Sequence, residues 1–484
     1  MQETALAPTP RLPDQHVRTT GGGCLFVLDD VGVFFAVARQ ELYVFNTSAT
    51  FIWCCVEEDL STDAMVQRYG EVFNLSPQEA EEHVALALGQ WWGLGYIEAP
   101  DIHGATPPSF ATALAQMLSN DRLRVEFASA PEEIARRLNL EGSERDAFIA
   151  LEPARLEQQA QLLQDRMGRR ATPPVGTDTL FCGVTHGGRT VLELAVDGRM
   201  QCLAGAAERH YRLLDTNCRL RFASVEAESY VHAALGHLAV DEPAESHVTF
   251  DIVGGNDGHV VLDGLIPVRY CRQLEQLAPL VKNAVAVAAI RRHRFFLLLH
   301  AGVVSNGERC ILLPAAAGSG KSTLTAGLTF AGFRYFSDEV AVLEEETLSV
   351  RPFPLSLGVK RGALTTIAEL WPEAHALDAH TRFDGEQVRY LPLPPECCAP
   401  PETACVAGWL IFPRYGADLD TELRPIRRSD ALRRVIDECM AFPKSWDERA
   451  VEKLVQWMRT LECYELPMSS LGRAVELITE RCRP

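Results

Sequence analysis

The chain has 484 residues, 47% of them hydrophobic, enough to bury sizeable cores in about three domains. Its 46 Lys and Arg against 65 Asp and Glu leave a formal charge of −19, which excludes the basic footprint of a nucleic-acid binder. No run reaches the roughly 18 apolar residues of a membrane span, and the Pro-rich, polar residues 1–19 lack the apolar core of an export signal. The 14 cysteines show no C-x-x-C spacing, and the vicinal pairs Cys54-Cys55 and Cys397-Cys398 are poor metal clips. The thiols therefore read as reduced, mostly buried groups of a cytoplasmic protein.

After a disordered N-terminus over 1–19, residues 20–98 read as a separate unit. Residues 24–28 and 33–37 predict two short strands joined by Asp29-Asp30-Val31-Gly32. A helix is expected from about 47 to 56. A second opens at Ser61 and closes at Gly70. Ser76-Pro77-Gln78-Glu79 is a capping box with proline at the first helical position, and the helix it starts carries Val84, Leu88 and Trp91 on one face. Residues 93–97 end the unit in a strand-like tail. A hairpin followed by three helices suggests a small α+β winged helix.

The hairpin, Phe45-Asn46 before the first helix, Trp53 within it, Tyr69 late in the second and the closing Leu94-Gly95-Tyr96-Ile97 together resemble the PqqD family. These are the peptide-recognition elements of ribosomal-peptide modification systems. The resemblance implies that the leader of a precursor peptide binds as an added strand beside the hairpin and in a groove against the last helix, near 24–37 and 79–92. An exposed strand edge offers main-chain hydrogen bonds to any extended peptide. A generic winged-helix interaction module is the alternative. DNA is disfavoured by the acids Glu79, Glu81 and Glu82.

Residues 99–177 read as linker and helical segment. Gly104 and Pro107-Pro108 mark a linker, helices are expected over 130–138 and 154–170, and 171–176 is a further break. No chemistry is visible there. The texture then turns β-rich, with strands expected at 180–185, 190–196, 219–223, 247–253 and 260–262, and helices at 226–240 and 274–290. These run into the apolar stretch 295–300.

Residues 311–324 carry the strongest functional signal. An apolar strand (311–313) leads into the loop Ala315, Ala316, Ala317, Gly318, Ser319, Gly320, then Lys321, Ser322 and Thr323, then a helix with Leu324 and Leu328 one turn apart. Glycines let the backbone wrap phosphate oxygens at a helix N-terminus. Lys321 can reach the β- and γ-phosphates, and the Ser322 hydroxyl can ligate Mg²⁺. Ala315 stands where this loop type ordinarily has its first glycine, so its backbone is expected to avoid positive φ. Past the helix and Gly332, residues 333–336 predict a strand with Ser337-Asp338-Glu339 at its end. Acids so placed can hold Mg²⁺ or accept a proton from an attacking hydroxyl. Two adjacent carboxylates also call for a shared cation or proton.

The order His300-Ala301-Gly302, strand, Gly-Ser-Gly-Lys-Ser-Thr, helix, Gly332, Ser337-Asp338-Glu339 resembles the HPr kinase family over about 295–345. The resemblance implies an α/β P-loop kinase domain with a β-rich flanking region, running from 178 to 484. By position Asp338 takes the family's general base, Glu339 replaces its second aspartate, and His300 matches a histidine near the phosphates. The catalytic set implied is Asp338, Lys321 and His300, with Ser322, Glu339 and Asp338 as metal candidates. ATP or GTP and Mg²⁺ are the implied cofactors, and a homo-oligomer the implied assembly. The family's later signature has no counterpart here. Arg351, Lys360 and Arg389 are the basic candidates to grip phosphate there, and phosphorolysis is left in doubt. Family members joined to PqqD-like domains look like peptide-tailoring kinases of ribosomal-peptide pathways, some linked to lasso peptides. Towards the C-terminus, strands are expected at 405–412 and 464–467, and helices at 430–440, 450–461 and 470–481.

The reading is thus a kinase acting on a Ser or Thr of a leader-bearing peptide. Two alternatives stay open at this point: a nucleotide-binding peptide chaperone without phosphotransfer, and a kinase of a small hydroxylated metabolite.

Overall fold

The computed structural model describes residues 14–98, 127–153, 185–190 and 207–483, apart from isolated residues and short breaks within these spans. Two compact units emerge, one of Met1–Arg170 with Ser445–Arg459, the other of Ala171–Lys444 with Thr460–Pro484. The helix expected over 154–170, and nearly all of the strands expected at 180–185 and 190–196, lie outside the described residues.

In the first unit, β1 (Gly23–Leu28), β2 (Val31–Ala36) and β3 (Glu41–Phe45) form an antiparallel sheet in that order. Helices α1 (Thr47–Glu57), α2 (Thr62–Phe73) and α3 (Pro77–Gly93) follow. The hairpin expectation lacks β3. After Glu41 its residues are apolar on both faces, so no alternation marks them as a strand. Asn46 caps α1, its side chain accepting from Ala49 N at 2.8 Å. Helix α2 runs past Gly70 and ends at Asn74, whose φ of 52° supplies the left-handed turn. Gly70 lies inside instead, where a Cβ would stand 3.4 Å from Ala80 Cβ on α3. The Ser76–Glu79 capping box is present in both directions. Phe34, Trp53, Val84, Leu88 and Trp91 fill the core, the Phe34 and Trp53 rings 4.7 Å apart.

Residues 14–19 are not a loose tail. Val17 is buried in this core, Gln15 N donates to Thr62 Oγ1 at 3.1 Å, and Thr19 bridges Ile97. The sequence reading missed this because a single apolar residue among polar ones carries no periodicity. The helix Glu448–Arg459 also belongs to this unit. It packs on β1, and the Arg459 guanidinium donates to the Val27 carbonyl.

The second unit opens with β4 (Ala207–Leu213), β5 (Thr216–Phe222), β6 (Val248–Gly255), β7 (Gly258–Asp263) and β8 (Ile266–Cys271). Their order is β8-β7-β6-β5-β4, with Ala239–Val240 beyond β4. Helices α4 (Val225–Leu235) and α5 (Leu277–Arg292) share their core through Phe222, Val231, Phe250, Val281 and Val285. Helix α4 is thus shorter than the 226–240 expected, because its last residues are taken by the sheet edge.

Strand β9 (Phe295–Leu299) pairs with Ala341–Glu344, whereas β10 (Ala301–Ser305) enters the central sheet. Next come β11 (Arg309–Pro314), α6 (Lys321–Phe330), β12 (Arg334–Ser337), β13 (Leu357–Lys360), α7 (Leu364–Leu370), β14 (Gln387–Leu391), β15 (Val406–Tyr415), α8 (Arg428–Glu438), β16 (Glu462–Met468) and α9 (Leu471–Arg481). The central order is β12-β10-β11-β15-β16. Strand β11 is parallel to β15, and β15 to β16, while β10 is antiparallel to both β11 and β12. The strands β12, β11, β15 and β16 therefore all point their carboxyl ends to one rim. Leu324 and Leu328 of α6 and Ile478 of α9 pack on the sheet with Ile311 and Ile411. Among the described residues no helix is long and apolar enough to cross a membrane.

Candidate active site

The shared rim of carboxyl ends is where an α/β sheet opens a ligand crevice. Here it holds a cavity of about 790 Å³, lined by the Gly-rich loop residues Ala316 and Gly318–Thr323 and by His300, Asp338 and Glu339. Ala317 lies outside the described residues. The residues singled out from 300 to 339 thus converge on one space although the chain separates them by up to 39 positions.

Local chemistry explains the loop. Gly318 and Gly320 both sit at φ of 86°, a conformation other residues resist, while Ala315 stays out of positive φ. Gly320 precedes the first turn of α6, so the helix presents unpaired N–H groups to the cavity. The Lys321 ammonium is buried and donates across the loop to the Ala315 carbonyl at 3.4 Å. Gly302 has an equally concrete role. A Cβ there would lie 2.2 Å from Thr325 Oγ1, a buried hydroxyl that itself donates to Lys321 O at 2.9 Å. The glycine in His300-Ala301-Gly302 therefore lets α6 sit down on β10. Gly302→Ala is expected to cost about 1–3 kcal/mol through this overlap. Adding Thr325→Ala should recover part of that loss, and thermal unfolding of the single and double variants measures it.

His300 occupies the single position between β9 and β10, where the chain leaves one sheet for the other. That junction brings its ring to the cavity wall.

The acids stand at the end of β12. Ser337 Oγ accepts from Glu339 N at 3.2 Å and Val340 N at 3.0 Å, a local turn that fixes both carboxyls. Their environments differ. Asp338 is 2% exposed, and its Oδ2 accepts from Gly358 N at 3.1 Å. The Tyr335 hydroxyl donates to the Leu355 carbonyl at 2.8 Å and stands 3.0 Å from Asp338 Oδ1. One hydroxyl carries one proton, so Tyr335 shares it between the Leu355 carbonyl and Asp338 Oδ1. Burial and then the Glu339 charge still push the Asp338 carboxyl above the usual aspartate range.

Glu339 is the anionic member. Burial acts to raise it, but the Lys282 ammonium, 3.0 Å away, more than offsets this and holds it below the ordinary glutamate value. Lys282 comes from α5 and its side chain is only 4% exposed, against 42% for Glu339. Its ammonium also lies 4.6 Å from the centre of the Tyr390 ring on β14, a cation–π distance. Burial opposes the lysine's charge, and Glu339, then Tyr390 and Asp338, keep it protonated. The carboxyl pair thus has an internal cation in Lys282.

Sequence reasoning missed Lys282. The available signal was a lone cation among Ala278, Val281, Val285 and Ala289, all buried on α5. Of the basic candidates, Lys360 lines the cavity and pairs with Glu386 at 2.7 Å. Arg351 and Arg389 are structural instead. Arg351 bonds Glu344 at 3.2 Å and the Pro401 carbonyl, and Arg389 bonds the Leu377 carbonyl. Arg382, which carried no sequence signal, lines the cavity beside Asp384.

Mg²⁺ keeps several waters and takes one or two protein carboxylates plus substrate phosphates. Ser322 on the first turn of α6 and the half-exposed, anionic Glu339 face one cavity and fit that demand. Among the described residues no group of three or more His, Cys, Asp or Glu is poised to hold a metal.

Strand β2 is paired on both sides, so β1 and β3 are the edges of this sheet among the described strands, and the helix Glu448–Arg459 packs on β1. Phe45 on β3 stacks on Trp91 of α3 at 5.5 Å between ring centres, so β3 and α3 adjoin.

No family model matches this chain, and no curated protein is significantly similar to it.

Proposed function

We propose that the protein is a Mg²⁺- and ATP-dependent kinase that phosphorylates a Ser or Thr hydroxyl of a ribosomally made precursor peptide, held through its leader by the first unit. One observation carries the reading: the phosphate loop and a carboxyl pair of split character face each other across one cavity. Lys321 and the loop N–H groups stabilise charge on the phosphoryl group in transfer. Asp338 takes the proton of the attacking hydroxyl. Ser322 and Glu339 would hold Mg²⁺, which neutralises charge between the β- and γ-phosphates. His300 lines the same cavity, where it would lie near the phosphates.

Intact mass spectrometry of a short peptide incubated with the protein and Mg²⁺-ATP tests this, with Lys321→Ala as the blank. A gain of one phosphoryl group absent from the blank is expected. Peptide binding without any gain would replace the kinase by a presenting chaperone.

The leader belongs on β3, beside α3, with main-chain hydrogen bonds supplying affinity. Alternate N–H groups of an edge strand point outward. One of Tyr43→Pro and Val44→Pro therefore removes an outward donor while leaving the ladder to β2 intact. That variant should bind a leader peptide roughly tenfold more weakly, the worth of one good hydrogen bond, while still unfolding cooperatively. Parent-like affinity in both variants, read by fluorescence anisotropy, would remove β3 as the docking edge.

A further inference from the structure

The phosphate loop divides the cavity rim into two sides. Strand β12, at whose end Asp338 and Glu339 stand, lies on one side of β11, and β15 and β16 lie on the other. If the γ-phosphoryl group faces the acids, the rest of the nucleotide leaves the loop toward the carboxyl ends of β15 and β16. Two side chains wait there, Tyr415 at the end of β15 and Met468 at the end of β16, and both line the cavity.

Their contact with the loop is built in. A Cβ on Gly320 would lie 2.6 Å from Met468 Cε and 3.2 Å from Tyr415 Cβ. Tyr415 N donates to Ser319 O at 3.0 Å, and Gly416 N donates to Met468 O at 3.0 Å. Thr421 Oγ1 accepts from Ser469 N and Ser470 N at 3.0 and 3.1 Å, closing the turn before α9. The backbone of Tyr415 is thus fixed to the loop while the residue stays 56% exposed. An open aromatic residue anchored by its backbone to the loop itself is an uncommon use of apolar surface. The other aromatic side chains of β15, Trp409 and Phe412, are buried.

Resting on the nucleotide reading above, we propose that Tyr415 is the base platform, on which the purine of the nucleoside triphosphate stacks against the Met468–Leu471 turn. Stacking uses the ring face, which every base has, and reads no donor or acceptor pattern. The site therefore takes ATP and GTP alike. Tyr415 sets affinity for the base and touches no reacting atom.

Calorimetric titration of the full chain with Mg²⁺-ATP, Mg²⁺-GTP and Mg²⁺-tripolyphosphate tests the assignment. Tyr415→Ala is expected to weaken ATP and GTP each by roughly tenfold, the range of one base–aromatic stack, and to leave tripolyphosphate unchanged. Tyr415→Phe should bind all three like the parent. Parent-like ATP binding by Tyr415→Ala, or an equal loss for tripolyphosphate, overturns the proposal while leaving the loop assignment standing. A parent chain that binds neither ATP nor tripolyphosphate better than Lys321→Ala overturns the loop assignment itself, and the base platform with it.

Discussion

Asp338→Asn is expected to bind Mg²⁺-ATP like the parent chain and to transfer phosphate roughly 10²- to 10⁴-fold more slowly. The substitution isolates the base because the pocket accepts an amide. Asparagine Oδ1 can take the Gly358 N–H that Asp338 Oδ2 takes at 3.1 Å. Its NH₂ can donate to Tyr335, whose own proton goes to the Leu355 carbonyl. Packing and hydrogen bonds survive while the proton acceptor is lost. The pH profile adds a second readout. Burial and the Glu339 charge raise the Asp338 carboxyl, so its basic form accumulates only as pH climbs through that raised value. Turnover of the parent should rise with pH along this limb, and the limb should vanish in Asp338→Asn. Steady-state phosphorylation with calorimetric ATP binding measures both, and unchanged turnover would sink the base assignment.

Glu339→Gln should destabilise the protein more than Lys282→Met, although each removes one half of the same ion pair. The asymmetry follows from burial. Removing Glu339 strands an ammonium whose side chain is 4% exposed, an uncompensated charge of the kind that costs on the order of 3 kcal/mol. Removing Lys282 strands a carboxylate that is 42% exposed and can rehydrate, so about 1 kcal/mol is expected after solvent screening. Asp338 and the Tyr390 ring recover part of the first loss by staying near the lysine. The sign with pH is fixed by Glu339. Its carboxyl is depressed in the fold, so the pair stabilises above the ordinary glutamate value, and that stability is lost as pH falls through the depressed value. The gap between Lys282→Met and the parent should therefore close in acid. Chemical denaturation at neutral and acidic pH reads it, and the reverse order of the two variants would show that the buried partner is the glutamate.

Much of the candidate site was legible in the sequence because its determinants are local. Gly318 and Gly320 need positive φ, Lys321 and Ser322 follow at fixed helical offsets, and Ser337-Asp338-Glu339 closes a short strand. Such signals survive without knowledge of what packs on them. Lys282, Arg382 and Tyr415 reach the cavity from α5, the loop before β14 and the end of β15, and no short-range pattern marks a residue that becomes functional only through its neighbours. Strand β3 failed for a related reason: with both faces apolar, its status as a strand is decided by β2 beside it.

Composition and motif spacing by themselves determined an acidic chain with a Gly-rich strand-to-helix loop and an acid pair shortly after it. What only the tertiary structure decided is the character of those acids. The antiparallel β10 lies between β11 and β12, and α5 delivers a buried lysine to their rim. One carboxyl is thereby desolvated and raised, the other paired and depressed. A pKa depends on what surrounds a group in space, and adjacency in sequence gave Asp338 and Glu339 the same neighbours on paper but opposite ones in the fold.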